Sequence, residues 1–290
     1  MVSNIRFTTE EYVRAGGERQ VNTVAEGSQS TPVVTVLADG RYIIAWKGGD
    51  NQVRAQVFDP SGGRIGSEFL VSEEPGRLQT PQQVVALTGG GFAIIWDDGA
   101  VNPDGSFGSV HAQVFDASGN TIGSPILIED DFAASFTSAN FNISASALDT
   151  GGFVVSVGTS QSSDIRGQFF ASDGAPVAPQ FTAHTSTSNT QNNPEVITLS
   201  NGNVVIAFSD FSGSSDPSSG GIIASVYAGD GTQLASDILV NTQTTSNQFG
   251  VELVALEGGG FVATWNDNDR TGDDSVSGTI RAQIFDNGGS

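Results

Sequence analysis

The sequence lacks several residue types, and each absence excludes a chemistry. It has no cysteine, so it has no disulfides, no thiolate metal site and no thiol nucleophile. It has a single lysine, Lys47, and 11 basic residues against 32 acidic ones, which gives a net charge of −21. Such a charge repels phosphate backbones and anionic membranes, so we expect neither nucleic acid nor a lipid surface as a partner. No apolar run approaches the roughly 20 residues of a membrane span, so membrane insertion is not expected either.

Sustained helical periodicity and the apolar stretch of a secretory signal peptide are also missing. The chain is therefore cytosolic, excised from a longer protein, or exported by a route that reads another signal. Only two histidines occur, His111 and His184, and the sequence indicates no serine or cysteine partner for either. A hydrolytic triad is thus unsupported, and no phosphate-binding loop or zinc spacing is present.

What the sequence does contain is a unit repeated five times. The first copy reads ADGRYIIAW (38–46) and then VRAQVFDPSGGRIGSEFLVS (53–72), and the second begins with TGGGFAIIW (88–96). Each of the first four copies has four short apolar runs, with a glycine turn after the first run and another after the third, and the fifth copy has three runs with both glycines. These glycines are Gly40, Gly90, Gly151, Gly202 and Gly259 in the first turn, and Gly62, Gly119, Gly174, Gly231 and Gly289 in the second. A short glycine-bearing turn between β-rich runs predicts a tight hairpin.

Four short antiparallel strands repeated five times predict an all-β fold, a five-bladed β-propeller of four-stranded blades. One unit is too small to bury its own apolar faces, so we expect residues 16–290 to form a single domain after an N-terminal extension of residues 1–15. The last unit stops after its third run, and GGERQVNT (16–23) resembles the fourth run ILVNT (238–242). We therefore expect the segment near Val21 to pair beside the strand that ends at Phe285 and to close the ring.

The complete repeat resembles a known family. Its form, L-x-D-G-G-[FY]-V-V-x-W followed by [VI]-x-A-Q-x-F-D-x-x-G-x-x-[VI]-G-x-x-F-x-V-N, is similar to the repeats of large secreted bacterial proteins that often carry hemolysin-type (RTX) calcium-binding modules. Those proteins are exported by type I secretion or act as adhesins. The resemblance covers about residues 16–290 and implies an extracellular or cell-surface location. The nonapeptide calcium repeat of the RTX modules is not present here, so any calcium site has to come from this chain's own loops.

The loops that vary in length between units are where we expect function. The loops between the second and third runs are long in unit 2 (97–109), unit 4 (209–221) and unit 5 (266–278). Our candidates for ligand binding are Phe107 with Asp104 and Phe211 with Asp216, because an exposed aromatic ring beside carboxylates can stack on a sugar or fill a partner's pocket. The alternative is that each ring folds back onto its own loop.

The unit 5 loop is the candidate metal site. Asp267, Asp269, Asp273 and Asp274 crowd four carboxylates into eight residues. Calcium takes six to eight oxygen ligands on a flexible loop, so Ca²⁺ is the ion that this loop predicts. The alternative is a solvated acidic turn on an acidic surface.

Two further sets of residues share a position in the repeat. Trp46, Trp96 and Trp265 occupy one register at the end of a strand, so we expect them in the core rather than at a ligand. Glu195 and Glu252 are the acidic residues of the inner runs, and two carboxylates facing one sugar can act as acid and base. The alternative is that they line a wet channel or bind a bridging cation.

The sequence thus favours a non-catalytic binding or display module of a secreted bacterial protein, monomeric as a domain. Its expected partner is a glycan or another surface polymer, met on the face that carries the long acidic loops, with Ca²⁺ ordering those loops. One alternative is a purely structural spacer in a large adhesin or exoprotein. A third is a glycoside hydrolase or lyase that uses Glu195 and Glu252.

Overall fold

The computed structural model describes residues 17–72, 77–99, 108–130, 142–158, 164–186, 189–213, 216, 220–269 and 278–289. Nothing in these ranges forms a helix with the length and apolarity of a membrane span. The same ranges contain 19 strands: β1 (Ser30–Val36), β2 (Tyr42–Lys47), β3 (Val53–Phe58), β4 (Arg64–Leu70), β5 (Thr80–Ala86), β6 (Phe92–Asp97), β7 (Val110–Phe115), β8 (Thr121–Glu129), β9 (Asn142–Ala147), β10 (Phe153–Gly158), β11 (Ile165–Phe170), β12 (Phe181–Thr182), β13 (Gln191–Thr198), β14 (Val204–Asp210), β15 (Gly221–Tyr227), β16 (Gln233–Leu239), β17 (Gln248–Ala255), β18 (Phe261–Asp267) and β19 (Thr279–Phe285).

The strands form five antiparallel sheets in chain order, which we call blades 1 to 5. Blades 1 to 4 have four strands each, and blade 5 has three in the part of the chain that is described. The first strands of successive blades lie side by side in the order β1, β5, β9, β13, β17, so they are the inner strands. The prediction of an all-β, propeller-type fold built from repeated antiparallel sheets is confirmed.

The two glycine turns of each blade have the same backbone geometry in every copy. Gly40 donates its N–H to Leu37 O at 2.9 Å, and Gly62 donates to Asp59 O at 2.9 Å. Their φ angles are 84° and 87°, and the eight equivalent glycines lie between 81° and 98°. Only glycine adopts this left-handed conformation without strain, so the repeated glycines are explained by the turns.

The core consists of apolar layers between neighbouring blades. Between blades 1 and 2, for example, Val53 and Val57 pack with Phe92, Phe115 and Trp96. Equivalent layers join blades 2 and 3, 3 and 4, and 4 and 5. The three tryptophans are at most 4% exposed, which confirms the prediction that their shared register is a packing position.

The N-terminal segment lies against blade 1. Thr23 donates its backbone N–H and its hydroxyl to Glu68 Oε2 at 2.6 and 2.7 Å, and Arg64 donates to the carbonyl of Gln20 at 2.5 Å. Within the described ranges this segment forms no strand and makes no ladder with β19. The predicted pairing near Val21 with the strand that ends at Phe285 is therefore not seen among the described residues, where the segment contacts blade 1.

Candidate functional site

The inner strands place one residue of each blade at a common level. In each blade, this inner-strand residue pairs with the second-strand residue that comes immediately before the tryptophan position. The five inner-strand residues are Val33, Gln83, Ser144, Glu195 and Glu252. A register irregularity lies just before both glutamates, with positive φ at Asn193 (52°) and Gly250 (67°). Because the two bulges are alike, they present Glu195 and Glu252 at the same height on adjacent strands.

Side chains in this row bind the backbone of the next blade. Gln83 donates to Ala145 O at 2.8 Å and accepts from Ala145 N at 2.8 Å. Ser144 Oγ accepts the N–H of Val196 at 3.0 Å. An inner strand has one unpaired edge, so these bonds satisfy backbone groups that no further strand can reach.

The Glu195 carboxyl has an unusual proton affinity. Burial, and after it the negative charge of Glu252, raises the pKa of Glu195 from 4.5 to about 7, against an opposing hydrogen bond from Ser144. Glu252 on the neighbouring strand is exposed. Two carboxyl groups with different environments at one level can divide the roles of proton donor and proton acceptor.

Three aspartates at the ends of second strands stabilise the turns that follow those strands. Asp210 and Asp267 share one register, Asp97 lies one residue earlier in its own strand, and all three are buried. In each case Oδ1 accepts the N–H of the residue two positions on, at 2.8 to 3.0 Å. Burial raises the pKa of Asp97 to about 6. These carboxylates close their own loops, a role that the sequence pattern did not reveal.

The predicted metal site is only partly within the described ranges. Asp267 is fully buried; it accepts from Gln248 Nε2 at 3.0 Å and pairs with Arg281 through Oδ2. Asp269 accepts from Thr245 Oγ1 at 2.6 Å. In the part of the chain that was placed, no three carboxylates or histidines are arranged to hold a metal. Asp273 and Asp274 lie outside the described residues, so calcium binding stays a prediction.

The predicted ligand-binding residues of blade 4, Phe211 and Asp216, both contact other residues of the protein. Asp216 is buried and accepts from Asn241 Nδ2 at 3.0 Å. The Phe211 ring lies over Gly220, where an added Cβ would come within 2.6 Å of two ring atoms. The alternative that the ring folds back is thus what the structure shows for Phe211. The corresponding residues of blade 2, Phe107 and Asp104, lie outside the described ranges.

A serine, a histidine and an aspartate meet at the start of the blade 2 loop, which the sequence did not indicate. Ser109 Oγ lies 2.9 Å from His111 Nε2 and donates to Asp98 Oδ1 at 2.9 Å. Burial opposes ionisation of Asp98, but bonds from His111, Ser109 and Arg77 together lower its pKa to about 2. Because the Ser109 hydroxyl donates its hydrogen bond to Asp98, it is not activated by the His111 imidazole. The cluster is a buried ion-pair network rather than a hydrolytic triad.

Comparison with known proteins gives a likeness in fold. No family model and no curated protein matches the chain. A protein of unknown function from Dyadobacter fermentans matches 91% of this chain and 79% of its own, with TM-score 0.54 and 12% identity. An ulvan lyase bound to -[GlcA(1-4)Rha3S]- matches 89% and 67%, with TM-score 0.56 and 12% identity. An endo-arabinanase from Bacillus licheniformis matches 89% and 95%, with 13% identity and a lower TM-score of 0.42.

Several of the structural neighbours are thus glycoside hydrolases or a polysaccharide lyase. At this identity the likeness establishes the propeller-type fold alone. The resemblance to RTX-associated repeats gains no support from these comparisons and stays a hypothesis.

Proposed function

We propose that this protein cleaves glycosidic bonds of a polysaccharide, with Glu195 as proton donor and Glu252 as the basic carboxylate. The sequence alone favoured a non-catalytic module, and the present proposal differs from that prediction. The observation that carries the proposal is the placement of the two glutamates at one level of adjacent inner strands, with the pKa of Glu195 raised to about 7. Carbohydrate-active enzymes among the structural neighbours are consistent with it.

The proposed reaction assigns one proton transfer to each glutamate. With a pKa of about 7, about half of the Glu195 carboxyl groups carry a proton at neutral pH. The protonated form gives its proton to the glycosidic oxygen as the bond from that oxygen to the anomeric carbon breaks. A water molecule adds to the anomeric carbon, and its proton passes to the Glu252 carboxylate. This division of roles is the general scheme of two-carboxylate glycoside hydrolysis.

The charges of the protein favour a neutral polymer as the substrate. Five of the described arginines are in ion pairs with carboxylates of the protein: Arg41, Arg54, Arg77, Arg166 and Arg281. A net charge of −21 repels polyanions. Elimination at a uronic acid needs a cation beside the sugar carboxylate, and the inner-strand row holds none among the described residues. Hydrolysis of an uncharged chain is therefore the form of the reaction that we propose.

The test is a reducing-end assay on neutral and on uronic-acid polysaccharides. We expect release of reducing ends from at least one neutral polymer, and loss of at least 100-fold in rate for Glu195→Gln and for Glu252→Gln. Glu257→Gln, an exposed glutamate in a blade 5 turn, is the matched control and should keep full activity. If the two variants degrade the polymer as fast as the unaltered protein does, the assignment is wrong.

A non-catalytic glycan-binding module is the second candidate. It is favoured by Gln83 and Ser144, which occupy the position of Glu195 and Glu252 in other blades. Both form hydrogen bonds with backbone groups of the next blade. Glu195 and Glu252 would then be structural. Retention on a polysaccharide column without any release of reducing ends would select this candidate. Calcium-assisted binding, export from a bacterium and a closed ring belong to the same set of proposals.

A further inference from the structure

A second row of inner-strand residues lies beside the row that contains Glu195 and Glu252, on the side of the long loops. In each blade, the residue of this second row pairs with the second-strand residue that comes immediately after the tryptophan position. The five residues are Ser30, Thr80, Asn142, Asn192 and Phe249. We call this set the loop-side row. Four of its members carry a hydroxyl or an amide, one is aromatic, and none is charged.

Phe249 and Glu252 lie on one face of blade 5. Their partners on β18 are Asn266 and Thr264, which are two residues apart. Side chains alternate along a strand and directly paired residues share a face, so Phe249 and Glu252 point to the same side. Two strand residues span about 7 Å. The aromatic ring is therefore separated from the carboxylate by a distance on the scale of one pyranose unit.

Phe249 is not used in the core of the described structure. The repeat aromatics of blade 5, Phe261 and Phe285, stack with ring centres 4.8 Å apart and belong to the layer between blades 4 and 5. Within the described ranges, Phe249 belongs to none of the four apolar layers, and it is partly exposed. Gly250 follows it with a φ of 67°, so no side chain at the next position covers the ring.

Asn192 offers a hydrogen-bond acceptor in the neighbouring blade. Its partner on β14, Ser209, lies two residues beyond the partner of Glu195, so Asn192 and Glu195 also share a face. The Oδ1 atom of Asn192 is buried and has no hydrogen-bond partner among the described residues. Ser209 Oγ accepts the N–H of Gly250 at 3.0 Å, which holds β17 against β14 at this level. A buried carbonyl oxygen without a donor is costly, so a donor from a ligand would be stabilising there.

We propose that Phe249 and Asn192 bind one pyranose unit of the polysaccharide beside the bond that is cleaved, an inference that rests on the proposed function. The C–H face of the sugar stacks on the Phe249 ring, because the face of an aromatic ring is negative and attracts the hydrogens of C–H bonds. A hydroxyl of the same sugar donates to Asn192 Oδ1. A pyranose has a flatter C–H face than a furanose, and the uncharged row fits an uncharged sugar. The site therefore selects neutral pyranose polymers.

Binding can be measured without cleavage in the Glu195→Gln variant. The probes are soluble xylan, galactan and mixed-linkage β-glucan cast in native gels, where binding slows migration, and arabinan serves as the furanose comparison. We expect at least one of the three pyranose polymers to retard Glu195→Gln. Adding Phe249→Leu, which keeps an apolar side chain without a ring, should weaken binding about 10-fold. Adding Asn192→Ala should weaken it as well.

Two further variants serve as controls in the same gels. Phe249→Tyr keeps the ring and should bind as Glu195→Gln alone does. Leu234→Ala removes an apolar side chain that is 55% exposed on the outer strand β16, and it should not change binding. Equal Tm values of the variants check that each one is folded.

The outcomes separate this inference from the proposed function. Equal retardation with and without Phe249→Leu, retardation by arabinan alone, or retardation by none of the polymers would overturn the sugar site, even if reducing ends are released in the hydrolysis assay. Retardation that depends on Phe249 without any release of reducing ends would retain the sugar site and reject the hydrolysis. In the catalytically active chain, Phe249→Leu should raise KM about 10-fold and change kcat little. An unchanged KM would contradict the sugar site.

Discussion

The Glu252 carboxylate acts on the proton affinity of Glu195 across the boundary between blades 4 and 5. Both residues follow a backbone irregularity in an inner strand, so each is set by its own blade and they meet through the packing of β13 against β17. The negative charge of Glu252 adds to the effect of burial on the pKa of Glu195. The proposed catalytic pair thus comes from two copies of one repeat, and this relationship can be tested directly.

The pH dependence of stability should reveal the half-buried Glu195 carboxyl. The pKa of Glu195 is about 7 in the folded protein and 4.5 in the absence of its surroundings. The folded state binds the proton more tightly, so stability falls as pH rises from about 4.5 to about 7. Glu195→Gln imitates the protonated form, and we expect its Tm to exceed that of the unaltered protein at pH 8 and to match it at pH 4. A difference of equal size at both pH values, or the same gain in Glu257→Gln, would contradict this.

Asp98 should show the opposite dependence. Its pKa of about 2 lies below the ordinary 3.8, because bonds from His111, Ser109 and Arg77 outweigh its burial. The ionised form thus stabilises the fold above about pH 4, and this contribution is lost as pH falls through about 2. Asp98→Asn should lower the free energy of unfolding in urea at pH 6, by an amount that shrinks toward pH 2. Asp130→Asn, on the surface, serves as the control; a loss that does not vary with pH would refute the charge argument.

The Trp96 side chain should make a large contribution to the free energy of unfolding. It is 2% exposed and lies with Phe92 and Phe115 in the layer between blades 1 and 2. Removing a buried indole leaves a cavity, so we expect Trp96→Ala to cost about 3–5 kcal/mol in denaturant unfolding. Trp96→Phe should lose less. Ready quenching of tryptophan fluorescence by acrylamide in the native protein would show instead that the indoles are accessible.

We expect calcium to bind at the blade 5 loop. The predicted ligands are Asp267, Asp269, Asp273 and Asp274; of these, Asp267 pairs with Arg281 and Gln248, and Asp269 accepts a hydrogen bond from Thr245. Millimolar calcium should then raise the Tm more than magnesium at equal ionic strength, because binding to the folded state alone stabilises it by mass action. Asp269→Ala combined with Asp273→Ala should remove most of that increment. Equal shifts with calcium, magnesium and sodium chloride would indicate charge screening and dismiss the site.

The parts of the fold that the sequence predicted are those with a local cause. The glycine of each hairpin turn is required by a positive φ at that residue, so its recurrence marks the turns directly. Trp96 and its equivalents recur in one strand register, which shows that each copy uses that position in the same way. Period, strand count and the packing role of the tryptophans follow from such one-residue signals.

The properties of the candidate site could not be predicted from the sequence, because they depend on contacts between residues that are far apart in the chain. Glu195 and Glu252 were visible as inner-strand acids, but the raised pKa of Glu195 comes from burial and from a charge 57 residues away. The pairing of Asp267 with Arg281 was likewise not visible from the loop sequence, because Arg281 lies on the next strand. Asp269, two residues further on, has a different partner, Thr245.

The sequence by itself determined the repeating hairpin unit, because turn geometry and strand alternation depend on residues within one blade. Only the tertiary structure decided which faces of those blades meet. Side chains such as Val57 and Ile284 occupy identical positions in the repeat, yet one is buried and the other exposed. The difference comes from the neighbouring blade, since apolar burial depends on what lies against a surface and not on the residue that forms it.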